Sequence, residues 1–495
     1  MNKFDMAVRS IPQETCKRLR EAIWSPVPTR RLRFLLVLLG LAVLFSRYVP
    51  AWNALWDYSV YYEASRNMLE GESPYVHPDL LTSEESSLGL PYLYSPVFAR
   101  LLTPLALVNY MWSGLLWVIL KCLCLEACVF LVIGLLGIPF SGGAFAILHF
   151  LVLVYEPVGL DVGSGNVATL ETTVILGGLL AWRVHRPILG GFLLPLPIIF
   201  KPTCLLILLY ALHRRAWDVF RGAGLAVIFV GLCTIPDWRY AVDLLQLLRS
   251  PVWARFWDEL VQSFYNFSAV TVVYRVFDQT YFTEPIIRMP WLPPILGPLV
   301  PISIFILTAW AIARSEGSRR RACEEELNAI GTRENNALPI SGGRGSRRAT
   351  KGFMSGSPGG SPSRSDDAEA AIRGADSNNK PLLLDHSILS LVLLTTLLLP
   401  PRLAGYSLVW TLLPLGSLTQ KAIIKRDWIL GFLTIIGFAL IQMHVEPQHV
   451  KRGLSQLWID HYFWGLLFLY AGNITAVGWL GRDLSKPAGS GKSED

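Results

Sequence analysis

The chain has 495 residues, 52% hydrophobic and only 16% charged, with a mean hydropathy of +0.41 and a net charge of +7. Soluble domains carry about a quarter charged residues, so an ordinary soluble enzyme is excluded. The positive charges lie beside apolar runs, where they act as topology signals and not as a nucleic-acid surface.

Residues 1–31 are polar and basic and read as a cytoplasmic tail; the next run is too long for a cleaved signal peptide and lacks its small-residue site. Apolar segments follow at 32–50, 96–108, 111–137, 143–158, 167–183, 187–213, 219–236, 292–314, 386–400, 404–421, 427–444 and 460–480. They predict an all-α polytopic membrane protein with about 10–13 transmembrane or re-entrant helices. The 17 Trp and 17 Tyr suit the two bilayer interfaces. The membrane catalytic module is drawn at 32–314, with aromatic-rich, folded outer loops at 51–95 and 237–291. The Gly/Ser/Arg-rich stretch 315–385 is predicted as a disordered cytoplasmic insert. Residues 386–481 are C-terminal transmembrane helices and 482–495 a disordered tail.

Basic residues orient these segments. Arg30–Arg33, Arg183–Arg186, His213–Arg215, Arg314–Arg321 and Lys421–Arg426 point inside. Parity then requires that 96–108, broken by Pro104 and only about 20 Å long at 1.5 Å per residue, is re-entrant or interfacial. Residues 187–213 begin and end inside but are too few for two spans. With Pro195, Pro197 and Pro202 they read as a hairpin of two short helices, Lys201-Pro202 near its apex. Broken helices at membrane depth are tolerated where they line a protein cavity. On this topology the Asp57 loop, the turn GLDVGSGN at 159–166, the Lys201 apex, the loop 237–291 and Pro400–Arg402 all face outside.

Several residues there could carry chemistry. Asp57 sits at the N-cap of a predicted helix over 58–69, with Glu63 and Arg66 on its solvated face. A carboxylate at that boundary can also take a proton from a hydroxyl. Lys201 lies within an apolar run and suits an anion such as a lipid phosphate. Arg402 has the planar fork that phosphate favours, and Tyr406 follows four residues on. Asn166, in a glycine-rich turn, and Gln262 and Ser263, in LVQSFYNF, are polar groups suited to a sugar, as are Tyr62 and Tyr94 in the first outer loop. Asn266-Phe-Ser268 and Asn473-Ile-Thr475 match the glycosylation sequon. Cys122, Cys124 and Cys128 read as membrane core, and the seven scattered cysteines do not suggest a disulfide framework. There is no Walker loop, HExxH or Ser-His-Asp signature, and no metal or cofactor is called for.

The order WDYSVYYEASRNMLEGESPY (56–75), PYLYSPVFARLLTPLALV (91–108), the GSGN turn and RVHRPILGGFLLPLPIIFKPTCLLILLYALHRR (183–215) resembles glycosyltransferase family 87. LVQSFYNF (260–267) and LLLPPRLAGYSLVWTLLPL (397–415) resemble later parts of the same family. The resemblance implies a GT-C fold and a polyprenyl-phosphate-sugar-dependent hexosyltransferase, typically a mannosyltransferase, in the cell (inner or plasma) membrane. It implies Asp57 as catalytic base and Lys201 beside the donor phosphate. The partners expected are the lipid-linked donor, a lipid or glycan acceptor and the bilayer, with no nucleic acid. A transporter or flippase of lipid-linked sugars is the rival reading; broken helices and intramembrane charges occur there too, although no internal repeat is visible here.

Overall fold

A computed structural model describes residues 29–50, 55–75, 92–139, 141–199, 205–251, 253, 266–280, 283–337, 385–400, 403–443 and 457–483. Among these the chain is all-α. Helix α1 (Arg30–Tyr48) is capped by the Thr29 hydroxyl, which accepts from Leu32 N at 3.3 Å. Helix α2 (Trp56–Glu70) ends on Gly71, whose φ of 82° is open to glycine at no steric cost. Its Tyr58, Tyr61, Ala64, Ser65 and Met68 are buried, and it packs on α3 (Pro96–Ala106). The face that amphipathicity would lay on lipid is therefore covered by protein, while Glu63 and Arg66 stay exposed.

Helix α3 starts at a Ser95 cap followed by Pro96, and its 11 residues reach about 16 Å. That is too short for a ~30 Å hydrocarbon core. Among the described residues, three stretches are long and apolar enough to span: α4 (Tyr110–Leu136), Trp217–Arg249 and Pro293–Ser318. Trp217–Arg249 comprises α10 (Trp217–Thr234), a 3-10 turn and the amphipathic α11 (Trp238–Arg249). A fourth candidate is bent by 60° between α5 (Gly142–Val154) and α6 (Glu156–Ser164). Pro157 explains the bend: it has no N–H to give, and its ring collides with the carbonyl four residues back.

Residues 159–164, expected as a turn, are instead the body of α6. The turn proper is confined to Gly165–Val167, before α7 (Ala168–Arg183). The polar residues of GLDVGSGN do not break the helix because they are paired inside the bundle; Ser164 Oγ, for example, donates back to Asp161 O at 3.2 Å.

Helix α8 (Pro187–Leu193) and a 3-10 turn at Leu196–Ile199 precede residues 200–204, and α9 (Leu205–His213) follows them. The backbones of α8 and α10 touch: a Cβ on Gly191 would fall 1.9 Å from Val219 O, and one on Gly222 2.0 Å from Ile188 O. Helix α12 (Ala269–Phe277) lies within 237–291, the stretch expected as the second outer loop. Helix α14 (His386–Leu398), buried from Ser387 onward, sits among α13 (Pro293–Ala337), α15 (Leu412–Lys425) and α17 (His461–Asp483); α16 (Trp428–Ile441) packs on α17.

The sequence placed the start of the disordered insert at 315, but α13 continues to Ala337. Arg319–Leu327 is rich in Arg and Glu, good helix formers, and a helix extending from a packed span needs no new nucleus. Glu316, nearly buried, anchors this extension by accepting from Arg214 Nη1 at 2.8 Å and pairing with His213 Nε2 at 3.0 Å. The rest of the insert, 338–384, lies outside the described residues.

Candidate active site

Asp57 does not cap its helix. Helix α2 begins at Trp56, its N-cap residue is Leu55, and no side chain caps it. Asp57 occupies the first turn and turns its carboxylate to Asn166, whose Nδ2 donates to Oδ2 at 3.0 Å across 109 residues of sequence. The amide orientation of Asn166 follows from its other contacts. Oδ1 accepts from Ala168 N at 3.2 Å, and Nδ2 also reaches Tyr61 Oη at 3.4 Å. Asn166 is fully buried, whereas Asp57 is partly exposed. Asp57 Oδ2 is held by Asn166, and Oδ1 makes no hydrogen bond among the described residues.

Tyr61, one helical turn after Asp57, donates to Tyr94 Oη at 2.9 Å. Burial raises its pKa well above the usual tyrosine value, with Tyr94, Asp57 and Tyr406 adding to the rise. Tyr61 is therefore a neutral donor at physiological pH. Its ring meets Tyr94 edge-on at 5.1 Å and Phe98 at 5.3 Å. Tyr58, on the same face, stacks on Trp117 at 5.1 Å and bonds Ser113 Oγ.

The turn that presents Asn166 is fixed by Gly165. Its φ is 74°, and a Cβ there would fall 2.6 Å from Tyr58 Cβ and 3.2 Å from Leu55 Cβ. Trp117 Nε1 donates to Gly165 O at 2.8 Å. The glycine thus supplies both the left-handed backbone and the close approach to the first turn of α2.

Of the residues predicted from sequence, Asp57, Tyr94 and Asn166 are joined through the hydrogen bonds around Tyr61, and Tyr406 lies close enough to act on it electrostatically. Tyr62 does not join them. Its hydroxyl donates to Val108 O at 2.9 Å and its ring packs on Tyr110 at 5.4 Å, because residue 62 falls on a different face of α2 from residue 61. Lys201, Arg402, Gln262 and Ser263 lie outside the described residues. Ser95 N, immediately after Tyr94, donates to Ile199 O at 3.2 Å. Phe267 N donates to Leu403 O at 2.8 Å, and Leu403 N to Asn266 Oδ1 at 2.9 Å.

Both sequon asparagines have structural roles. Asn266 is buried and bridges to Leu403, and Asn473 is buried with Nδ2 donating to Leu469 O at 2.9 Å. Sequence reasoning overlooked Tyr61, Lys121 and Asp161. Lys121 was visible as a lone cation in WVILKCLCLE, the signal that drew attention to Lys201. Its Nζ reaches Asp161 O at 2.6 Å, Asp161 Oδ2 at 2.7 Å and Asn166 O.

The family model for glycosyltransferase family 87 matches residues 92–330, just under half of the chain, and supports assignment to that family. The matched stretch includes Tyr94, Lys121, Asp161 and Asn166; Asp57 precedes it, and Tyr406 follows it. No curated protein and no solved structure matches the chain.

Proposed function

We propose that this chain, which the match over residues 92–330 assigns to glycosyltransferase family 87, moves a sugar, mannose in our reading, from a polyprenyl-phosphate donor to a lipid or glycan acceptor on the non-cytoplasmic face of the membrane. Asp57 is the general base. The observation that supports this role is its divided carboxylate, with Oδ2 held by Asn166 at 3.0 Å and Oδ1 without a hydrogen bond among the described residues, at a partly exposed position. A base must be aimed at the hydroxyl it deprotonates and must keep an oxygen free to do so.

In the reaction, Asp57 Oδ1 takes the acceptor hydroxyl proton as that oxygen attacks the anomeric carbon. The bond from the anomeric carbon to the phosphate oxygen breaks, and its electron pair leaves with polyprenyl phosphate. Lys201 and Arg402 carry the growing phosphate charge, the role that cations fill in transition-state stabilisation. Tyr94 and Tyr406, with Gln262 and Ser263, are the candidate sugar contacts. Tyr61, held neutral by burial, supports the site as a donor.

The test is transfer by membranes carrying Asp57→Asn, supplied with radiolabelled polyprenyl-phosphate-mannose. A loss of at least 100-fold, with the protein still present in the membrane, is expected. Transfer at the unsubstituted rate would remove Asp57 from the mechanism.

A further inference from the structure

Lys121 and Asp161 are a charged pair inside the bundle, both side chains 0% exposed, on α4 and α6. An ammonium has three protons and no acceptor capacity. Lys121 directs its Nζ at the Asp161 carboxylate, the Asp161 carbonyl and the Asn166 carbonyl. Asp161 is equally committed: its carboxylate accepts from Ala168 N at 3.1 Å and from Thr169 Oγ1. A buried ion pair is seldom the most stable filling for its space; apolar side chains of similar volume often do as well or better. Its placement here points to a use. Two of the three lysine contacts are backbone carbonyls at the two ends of the stretch 161–166. That stretch is closed by Asn166 N donating to Asp161 O at 3.1 Å. The side chain emerging at its end is the amide that grips Asp57.

We propose that Lys121 and Asp161 form a buried positioning pair that fixes the Asp57 carboxylate through Asn166. Lys121, fully enclosed, touches no substrate. It sets the height and direction of the Asn166 backbone, Gly165 presses that turn against the first turn of α2, and the Asn166 amide delivers the restraint to Oδ2. The catalytic consequence rests on the reading of Asp57 as the base; the geometric one does not.

The test uses the full chain, purified in detergent, with Lys121→Met and Asp161→Asn combined. The double variant leaves no lone buried charge, and the asparagine still offers an acceptor to Thr169 and Ala168. Lys121→Met alone would strand the Asp161 carboxylate and could prevent folding. The first readout needs no sugar: labelling of Asp57 by a water-soluble carbodiimide and an amine, followed by peptide mass spectrometry, with exposed Glu70 as internal reference. Asp57 labelling several-fold faster in the double variant, with Glu70 unchanged, is expected. Equal Asp57 rates overturn the proposal.

The second readout is transfer from radiolabelled polyprenyl-phosphate-mannose. A kcat 10- to 100-fold lower with a donor KM within about 2-fold of the original is the signature of lost aim rather than lost binding. Adding Asn166→Ala to the double variant should cost nothing more, because both changes act through one path. A fully additive loss overturns the proposal. If Asp57→Asn transfers at the original rate, the base assignment fails, and the labelling result still decides the positioning pair.

Discussion

Gly165 and Tyr58 are in backbone-level contact: a Cβ at residue 165 would lie 2.6 Å from Tyr58 Cβ and 3.2 Å from Tyr58 N. Two physical costs therefore coincide in Gly165→Ala, the left-handed backbone and an overpacked interface. Left-handed alanine costs roughly 1–2 kcal/mol and overpacking about 1–3 kcal/mol. We expect a loss of about 2–5 kcal/mol of stability, read by thermal unfolding in detergent. A variant that unfolds at the same temperature would mean that the turn does not press on α2.

Asn166→Ala tests the hydrogen bond itself. Hydrogen bonds to charged groups contribute about 1.5–3 kcal/mol, so transfer should fall by roughly 10- to 150-fold, less than for Asp57→Asn. Asn166→Asp should be worse than alanine, because it sets a second carboxylate beside Asp57. An aspartate variant as active as the original would refute the contact.

Tyr61→Phe removes one hydroxyl that accepts from Asn166 and donates to Tyr94. Burial raises the Tyr61 pKa, so the hydroxyl stays protonated throughout the working range. The phenylalanine variant should therefore lose about 1 kcal/mol of stability or transition-state support without altering the shape of the pH–rate profile. A basic limb that disappears in Tyr61→Phe would show that the hydroxyl titrates during turnover.

The helices were legible because apolar runs and short polar caps mark them. Ser95, Asn109, Ser141 and Asp427 cap helices where the sequence changes character. The non-crossing length of 96–108 was also readable from Pro96 and Pro104. What hid was long-range pairing. Nothing local to Asp57 reveals an amide 109 residues away, so its position looked like that of a cap. GLDVGSGN looked like a loop because its polar groups were counted as solvent-facing, whereas Asp161 is satisfied by Lys121 from another helix. The same logic misplaced the start of the insert: Glu316 seemed part of a polar tail until Arg214 and His213 supplied its partners.

Arg275 and Asp460 join α12 to the start of α17 through a buried contact, each side chain 1% exposed. Arg275 Nη2 also donates to Asn266 O at 2.9 Å, so the pair supports the bridge from Asn266 to Leu403. Asp460→Ala leaves the buried Arg275 guanidinium without its carboxylate and should cost about 3–5 kcal/mol, read by thermal unfolding in detergent. Asp460→Asn keeps an acceptor for Arg275 and should cost less. Equal losses for the two variants would show that the contact does not hold α12 to α17.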